Sequence, residues 1–530
     1  MKRGIILLLT ALLAVFTLAA CKSDKESSGE SASANVEVNE EGFPIVDEEI
    51  ELSVMAPGTG IAEWEDMATL KEYSEMTNIK MEYTTPPLSD FQTKLNLAFA
   101  SGDVADIIYG AGSNNLTPAM EVDYGEQGVL LPLEDLIEEH APNIKKMLEE
   151  NPDIKKSITT IDGHIYSLPK ISEGSSSYWY KGPLWFNGQW LDALGVEELP
   201  KTTEEFYDLM VRFKTEDPNG NGEADEIPLL DVKMNSSRAW FLAAFGMKEW
   251  GIEENDGEVR YTPTTDNYKE YLTYMNKLYE EELLDPETFS QSDEQKKAKG
   301  QDNRLGIFPD WFSFFTTGES EEEALNNPMF QPLTSPVSEE VIIPLNPGIN
   351  RGAFSITSEN PNPEASIRWV DYFYSKEGFT FLNEGPEGLL WEDQDGERVY
   401  LDTPEGYDSS EDYRGSITPD YGIPAPTVSG PIEGKPKSEF EEFIDSETNE
   451  KIVPYGEVPF PLVYLTAEEQ KQINSIEVDL TSYVEQMEAK FITGVEPLSN
   501  WDSYVETIQN MNIDEYVEVH QAAYDRWSES

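Results

Sequence analysis

The sequence predicts an α/β protein of two lobes followed by a helical C-terminal region. From residue 51 onward, short strands alternate with amphipathic helices, which is the pattern of parallel sheets covered by helices. A second alternating region begins near residue 175, and the residues after 466 have an almost wholly helical pattern. At about 100–200 residues per domain, 530 residues are enough for two large lobes.

The first alternating region has a βαβαβ order. It begins with a strand at 51–55, a helix at 64–76 and a strand at 80–83, and continues with a helix at 91–100 and a strand at 105–109. Each helix has its apolar residues spaced at three or four, as an amphipathic helix requires. This order predicts a parallel sheet.

The loops that follow these strands are the first candidates for a binding site. In an open α/β sheet, ligands gather beyond the carboxyl ends of the strands. We therefore expect the loops 57–64 and 110–115, with Asn114 in the second, to line a site. The second loop is rich in glycine but lacks a Walker lysine and the dinucleotide-binding spacing, which disfavours a nucleotide.

The second alternating region has equally clear helix signals. Thr202 and Glu205 have the spacing of a capping box, and an apolar stripe follows them. A further amphipathic helix is predicted at 267–284, and a buried strand at 304–308 ends at Pro309-Asp310-Trp311. The remaining predicted elements are a strand at 352–357, a helix at 363–374 and a helical region at 466–527 that begins with a second capping box.

The charge excludes several classes of partner. The 37 basic and 103 acidic residues give 37 − 103 = −66. Nucleic acid needs a basic patch, and anionic lipid is disfavoured for the same reason. The 11 tryptophans, 25 tyrosines and 23 phenylalanines provide too much apolar surface for a disordered acidic chain. We expect a globular monomer that binds no nucleic acid.

The N-terminus predicts export and a lipid anchor. A basic start, Met1-Lys2-Arg3, precedes an uncharged apolar run up to residue 20, as in a secretory signal peptide. The alternative, a membrane-spanning anchor, is at the lower limit of length. The sequence LAAC at 18–21 resembles a bacterial lipobox, and Cys21 is the only cysteine of the chain. We expect a signal peptide at 1–20, a lipid on Cys21, a flexible tether at 21–49 and a folded part at the extracellular face of the cell membrane.

One acidic loop has the pattern of a calcium site. Residues 217–226 read DPNGNGEADE. The loop departs from an EF-hand because position 12 is Pro228, so that residues at positions 9 and 10 must complete the shell. The alternative is a polar Asx/Gly turn that binds nothing. The predicted ligands of a structural Ca²⁺ are Asp217, Asn219, Asn221, Glu223, Asp225 and Glu226.

The segment WLDALGVEELPKTTEEFYDLMVRFKTEDPNGNGEADEIPL at 190–229 resembles the large-lipoprotein branch of extracellular solute-binding family 1. This branch includes alginate-oligosaccharide-binding proteins of ABC importers. The resemblance continues at 268–289, 368–388 and 522–527. It implies a two-lobed periplasmic-binding-protein-like fold with a hinge, an oligosaccharide in the cleft, calcium in the acidic loop, and ABC permease subunits as partners. Members often have Arg-x-Asp before the W-L pair, where this chain has Asn187-Gly188-Gln189.

We expect the N-terminal lobe to comprise residues 50–170 and 345–440, and the C-terminal lobe residues 171–344 and 441–530. Sugar rings stack on aromatic side chains, and polar groups bind their hydroxyls. The predicted ligand-binding residues are Trp311, Asp310, Trp64, Trp179, Tyr180, Trp240, Trp391, Asn114 and Arg351. The tryptophans on helical stripes, Trp190, Trp369, Trp501 and Trp527, are expected in the core.

The ligand is expected to be a neutral oligosaccharide. An acidic sugar needs a cluster of cations, and Lys181, Arg238 and Arg351 near the candidate segments can each pair with an acid instead. A receptor for uronides remains an alternative. A secreted glycoside hydrolase is another, although a carboxylate pair has no discriminating power among 103 acids.

Overall fold

The computed structural model describes residues 36–395, 397–407 and 409–529. The predicted signal peptide, the lipid site Cys21 and the tether up to residue 35 lie outside these residues. The strands are β1 (Ile50–Met55), β2 (Ile79–Thr84), β3 (Ile107–Tyr109), β4 (Leu168–Ser172), β5 (Leu184–Phe186), β6 (Ile227–Leu229), β7 (Ile252–Asn255), β8 (Glu258–Tyr261), β9 (Leu305–Pro309), β10 (Ile343–Pro344), β11 (Ile349–Ile356), β12 (Trp391–Gln394), β13 (Glu397–Tyr400), β14 (Val428–Ser429) and β15 (Gly456–Glu457).

Helices alternate with these strands over most of the chain and dominate its C-terminal part. They are α1 (Ala68–Thr77), α2 (Phe91–Ser101), α3 (Pro118–Glu126), α4 (Glu134–His140), α5 (Pro142–Glu150), α6 (Pro152–Ile158), α7 (Gly188–Leu194), α8 (Thr203–Thr215), α9 (Ser237–Ala244), α10 (Asp266–Glu280), α11 (Asp293–Gln301), α12 (Phe314–Thr317), α13 (Glu321–Ala324), α14 (Pro363–Asp371), α15 (Lys376–Glu384), α16 (Ser410–Ile417), α17 (Glu439–Lys451), α18 (Ala467–Ile492), α19 (Trp501–Gln509) and α20 (Ile513–Glu529).

A six-stranded sheet in the order β14-β4-β11-β3-β1-β2 forms the centre of the first lobe. β1 is parallel to β2 and β3, which confirms the predicted βαβαβ arrangement, and β11 is antiparallel to β3 and β4. Val54 and Ile107 join one buried cluster, whereas the next residues, Met55 and Ile108, join another. Alternate side chains thus cover both faces of the sheet, as expected of largely parallel strands.

A three-stranded sheet in the order β5-β9-β6 forms the centre of the second lobe. β6 is parallel to β9, and β5 is antiparallel to it. The apolar cluster around this sheet takes residues from 179–343 and again from 440–519. The C-terminal helices belong to it through side chains such as Leu480, Tyr504 and Val519. The helical C-terminal region is therefore part of the second lobe's core.

The chain passes between the lobes in segments 173–183, 345–348 and 430–438. Trp179 pairs with Leu345 in an isolated β-bridge, and the amide of Asn346 donates to the carbonyl of Tyr178 at 3.1 Å. β4 and β14 end, and β11 begins, at the same edge of the first-lobe sheet. The connections therefore lie at the edge where α/β sheets gather ligands.

Two predicted helices are shorter than their apolar periodicity suggests. The helix predicted at 64–76 is a 3₁₀ turn at Trp64–Asp66 followed by α1, because Met67 between them is extended. The helix predicted at 267–284 ends at Glu280, since Glu282 adopts a φ of 53° and Leu283 enters the core. Apolar spacing alone does not reveal where tertiary contacts end a helix.

The folded chain begins before residue 50, which shortens the predicted tether. Val38 forms a bridge with Val46, and the side chains of Ile45 and Val46 are fully buried. The amide of Ile45 donates to the carbonyl of Thr77 at 3.1 Å. Because these apolar side chains pack on the first lobe, residues 36–49 belong to that lobe rather than to a free linker.

The two predicted capping boxes differ. The Thr466 hydroxyl and the Glu469 carboxylate form both reciprocal hydrogen bonds at the start of α18. The Thr202 hydroxyl accepts from the amide of Glu205 at 3.1 Å, but the Glu205 carboxylate accepts from the amide of Lys201 instead. Only half of the first box forms, although it still begins α8.

Candidate functional site

The second-lobe sheet brings three polar segments to one edge. Because β6 and β9 are parallel and β5 is antiparallel, the carboxyl ends of β6 and β9 lie beside the amino end of β5. Asp231 follows β6, Asp310 and Trp311 follow β9, and Lys181 precedes β5. All four residues line one cavity of about 160 Å³. This is the edge at which ligands of α/β proteins bind.

Trp311 presents an exposed indole at this cavity. Its side chain is 46% exposed. Its ring centroid lies 5.1 Å from that of Trp179, with 65° between the two planes. Trp179 therefore supports Trp311 in an edge-to-face contact. An exposed indole held in this way can stack against the apolar face of a sugar ring.

The Asp310 carboxylate holds this loop in place. Its Oδ1 accepts from the amide of Trp311 at 2.8 Å, and its Oδ2 accepts from the Thr316 hydroxyl at 2.6 Å. The Lys296 ammonium lies 3.3 Å from Oδ2 and also donates to the carbonyl of Pro309. Any contact of Asp310 with a ligand has to compete with these internal hydrogen bonds.

Asp231 forms a buried wall of the cavity. Its carboxylate accepts from the amides of Val232, Ser236 and Ser237 and from the Ser237 hydroxyl, at 2.6–3.2 Å. Burial raises the pKa of Asp231, and these hydrogen bonds oppose the shift. The carboxylate fixes the turn into α9. Nothing in the local sequence distinguished Asp231 from the other acidic residues.

A second cavity, of about 360 Å³, adjoins the first and shares Lys181 and Asn235 with it. Trp250 lines this cavity, and the guanidinium of Arg238 lies 4.9 Å from the centroid of its ring. Glu249 also lines it, and burial raises the pKa of Glu249 to about 7. Trp250 has no local signal in the sequence, because no predicted strand ends beside it.

Most cations around these cavities are paired within the protein. The Arg238 Nε lies 3.0 Å from both carboxylate oxygens of Glu488, and its Nη2 lies 2.6 Å from one of them. Lys248 pairs with Glu457 at 3.0 Å. The ammonium of Lys181 lies over the ring of Tyr180, 5.4 Å from its centroid. Arg238 therefore stabilises the fold and shapes the cavity.

Three of the predicted aromatic platforms are buried rather than exposed. Trp64, Trp179 and Trp240 each retain 2% of their accessible surface. Trp64 packs against Tyr83 and Tyr109 in the first lobe. These three indoles therefore offer no exposed ring face in this structure, because a strand end or loop in the sequence does not show which neighbouring segment covers the indole. Their contact with a ligand stays a prediction. Trp179 and Trp240 lie beneath the candidate site and support it.

The first-lobe candidates lie apart from these cavities. Asn114 is exposed beyond β3, where its carbonyl accepts from the Gln92 amide at 2.8 Å. Trp391 begins the hairpin β12–β13, and the guanidinium of Arg398 covers its ring at 3.8 Å from the centroid. Neither residue lines the two cavities of the second lobe. Their contact with a ligand stays a prediction.

Arg351 is buried, and its contacts are with other residues of the protein. Its Nη1 donates to the carbonyls of Ser157 at 3.3 Å and Val463 at 3.2 Å. Its guanidinium lies 4.3 Å from the centroid of the Tyr464 ring, and the Tyr464 hydroxyl donates to the buried Glu121. Arg351 thus joins the chain before α18 to the first lobe. Its guanidinium is engaged by these internal contacts, and its predicted contact with a ligand stays a prediction.

The acidic loop at 217–226 lies at the opposite end of β6 and β9 from Trp311. The side-chain amides of Asn219 and Asn221 donate to Oδ1 of Asp225 at 3.3 and 3.0 Å. Asp217 adopts a φ of 47°, and its Oδ2 accepts from the amide of Gly222. Oxygen-bearing side chains therefore converge within the turn.

Glu226 is the residue of this loop with an unsatisfied group. Its Oε1 is buried without a hydrogen-bond partner among the described residues. Burial raises the pKa of Glu226, and the nearby charges of Asp217 and Asp225 raise it further. Arg304 lies 3.1 Å from Oδ2 of Asp225 and offsets part of the negative charge. The backbone amide of Glu223 donates to Oδ1 of Asn221 at 2.7 Å.

Within the described residues, the side chains of Asp, Glu, His and Cys form no group of three or more arranged to hold a metal. A cation in the acidic loop would also need amide and carbonyl oxygens, which Ca²⁺ accepts. No helix in the described part of the chain has the length and hydropathy needed to cross a bilayer.

Comparison with known proteins places the chain among bacterial solute-binding proteins. Residues 58–378 match the family of bacterial extracellular solute-binding proteins. The chain is 30% identical to the fructooligosaccharide ABC transporter substrate-binding protein FusA of Streptococcus pneumoniae serotype 4, over 98% of this chain and 97% of FusA. It is 25% identical to the polygalacturonan/rhamnogalacturonan-binding protein YtcQ of Bacillus subtilis, over 58% of this chain and 57% of YtcQ.

Solved structures share the fold. FusA of S. pneumoniae in complex with kestose superposes with a TM-score of 0.73 at 28% identity, over 90% of this chain and 99% of that chain. An EF-hand mutant of FusA in complex with fructo-nystose gives the same values. The HMO-binding solute-binding protein of Bifidobacterium longum infantis has a TM-score of 0.75 at 22% identity, over 91% of this chain and 99% of that chain. The predicted two-lobed α/β fold is confirmed.

Proposed function

The chain belongs to the family of bacterial extracellular solute-binding proteins, and from this we propose that it captures a neutral oligosaccharide between its two lobes. It is a solute-binding receptor of an ABC importer and not an enzyme, as its relatives are substrate-binding proteins of such transporters. Its place is outside the cell, where it delivers the solute to a permease in the membrane.

The exposed Trp311 beside a polar cavity is the observation that supports a sugar ligand. The cavity is lined both by Trp311 and by the polar residues Lys181, Asn235 and Ser236. A sugar ring offers an apolar face to stacking and hydroxyls to hydrogen bonds, so it matches both surfaces. The adjoining cavity with Trp250 extends the site along the same edge.

Local charge favours a neutral ligand over a uronide. Of the cations that line the two cavities, Lys296, Arg238 and Lys248 have acidic partners. Asp231 and Asp293 add negative charge to the first cavity. A carboxylate on the sugar would have few unpaired cations to meet and would be repelled by these acids. FusA is a fructooligosaccharide-binding protein, and fructooligosaccharides are neutral, which supports a neutral ligand for this chain.

Calorimetry with a matched pair of variants tests this proposal. Kestose should bind the wild-type protein stoichiometrically, and tri-galacturonate should not. Trp311→Ala should weaken kestose binding at least tenfold. Phe315→Ala should leave it unchanged, although Phe315 is also 46% exposed and lies four residues away. Tight tri-galacturonate binding with steep salt dependence would favour the uronide alternative, and turnover of either sugar would contradict a receptor.

We also propose that the acidic loop holds a structural calcium ion. Asp217, Asn219, Asn221, Asp225 and Glu226 would supply side-chain oxygens, and Glu223 would supply its carbonyl. The unsatisfied oxygen of Glu226 and the convergence on Asp225 fit a cation at this place. The EF-hand of FusA supports the proposal. A Ca²⁺ here would stabilise the turn between α8 and β6 and take no part in sugar binding.

The remaining proposals concern anchoring and domain boundaries. A lipid on Cys21 would hold the protein at the membrane through the segment before residue 36. Labelling with radioactive palmitate should mark the wild type and not Cys21→Ser. We propose lobes at 50–170 with 345–440 and at 171–344 with 441–530. The separate apolar clusters support this division except at its limits, since Ile45, Val46 and Ile171 join the first-lobe cluster and Phe440 joins the second-lobe cluster. Light scattering should show a monomer.

A further inference from the structure

A third cavity lies between the first lobe and the C-terminal helix, and the proposed sugar site does not use it. Its volume is about 560 Å³, within the range of small-molecule sites. It is formed by α5, α6 and the loop after them on one side, and by α20 and Tyr464 on the other. It shares no lining residue with the two cavities beside Trp311.

The walls of this cavity are mostly apolar. The apolar surface comes from Leu148, Pro152, Ile161, Tyr464, Ala523 and Trp527. The Thr160 hydroxyl lies 2.5 Å from Oδ1 of Asp162 and 2.8 Å from the carbonyl of His164, so it is already engaged. A sugar in this cavity would leave several of its hydroxyls without partners, which is unfavourable. The walls suit a ligand with an apolar body.

The charged groups of this cavity are all cationic. Lys155, Lys156 and Arg526 line it, and no acidic residue of the described chain does, although the sequence contains 103 acids. Arg526 forms two hydrogen bonds with Glu469, at 2.8 and 2.7 Å. Lys156 lies over the ring of Trp527, 5.3 Å from its centroid, and donates to the carbonyl of that residue.

Lys155 is the least engaged of the three cations. Its ammonium has no ion pair or hydrogen bond with a side chain or carbonyl of the described residues. It lies in the last turn of α6, lines the cavity and is exposed. Two adjacent lysines beside an apolar cavity can bind an anionic head group while the body of the ligand is buried.

We propose that this cavity binds an alkyl carboxylate, with the chain against Trp527, Tyr464 and Leu148 and the head group at Lys155 and Lys156. Burial of the chain supplies the affinity, and the two ammonium groups select the anion. The protein as a whole repels anions, so a specific anion site must come from such a local arrangement. The proposal does not depend on the identity of the sugar bound beside Trp311.

A pair of amphiphiles with opposite charge tests the proposal. Decanoate and decyltrimethylammonium, both below their micellar concentrations, have the same alkyl chain. Unspecific binding to a chain of charge −66 favours the cation. We expect decanoate to bind one site per molecule in calorimetry, and decyltrimethylammonium to show no saturable site of this kind. Stronger binding of the cation would overturn the proposal.

Variants locate the site. Lys155→Gln with Lys156→Gln should weaken decanoate binding at least tenfold, and Ile161→Asp at the cavity mouth should weaken it by repulsion. Lys146→Gln removes an exposed lysine of α5 that pairs with Glu150, and it should have no effect. Thermal melting shows whether each variant folds. Absence of decanoate binding to the wild type, or equal binding to the double variant, would refute the assignment.

Discussion

Removing the guanidinium of Arg238 should destabilise the protein strongly. Arg238 makes contacts of 2.6–3.0 Å with the carboxylate of Glu488, whose side chain is 1% exposed. The only other described donor to that carboxylate is the Tyr271 hydroxyl, at 3.2 Å. Arg238→Ala therefore leaves a buried negative charge with one neutral hydrogen bond.

The expected loss follows from the cost of an unpaired buried charge. Breaking a buried ion pair by removing one partner costs about 3–5 kcal/mol. At about 2–4 °C of melting temperature per kcal/mol in a large domain, the transition should fall by roughly 6–20 °C. Lys201→Ala is the control, because Lys201 and Glu198 form a pair with side chains 70% and 83% exposed. Such a pair contributes less than about 1 kcal/mol.

The assay is thermal melting by circular dichroism. Without Arg238, the buried carboxylate of Glu488 has no counter-charge, and an unpaired buried charge destabilises the fold. Adding Glu488→Gln removes that charge and should recover most of the loss. A deficit no larger than that of Lys201→Ala would refute the reasoning.

Other predictions concern the loop, one titrating group and one tight contact. Chelation should lower the melting temperature if calcium occupies the acidic loop, because a ligand at a hundredfold excess over Kd contributes about 2.7 kcal/mol to stability. Asp217→Ala should abolish this sensitivity to chelator, and an unchanged melting temperature of the wild type would contradict the calcium site. Burial raises the pKa of Glu249 from 4.5 to about 7, so its ionisation destabilises the fold as the pH rises between these values. Glu249→Gln should then raise the melting temperature at pH 8 and not at pH 4.5, and an equal effect at both would contradict the buried carboxyl. Gly188→Ala should lower the melting temperature by several degrees, because its Cβ would lie 1.7 Å from the carbonyl oxygen of Asn326, whereas the exposed neighbour Gln189→Ala should not.

The sequence predicted the features that depend on neighbouring residues. The alternation of strands and helices, the cap at Thr466 and the strand that leads to Trp311 are each encoded within about ten residues. Trp190 and Trp369, on apolar helical stripes, are buried as predicted. A long apolar periodicity predicts a helix and its inward face because both follow from backbone geometry.

The tertiary structure decided which side chains meet and which are covered. Trp179 looks as exposed as Trp311 in the sequence, but it is buried because the segment after β9 lies on it. Arg351 meets Tyr464 across more than a hundred residues, and Trp250 reaches the cavity of Lys181 from a loop without any local signal. Local sequence sets backbone conformation through interactions over a few residues, whereas burial depends on the packing of segments that are distant in the chain. For this reason the sequence alone pointed to a candidate site at the end of β9 but did not identify all the residues that line its cavities.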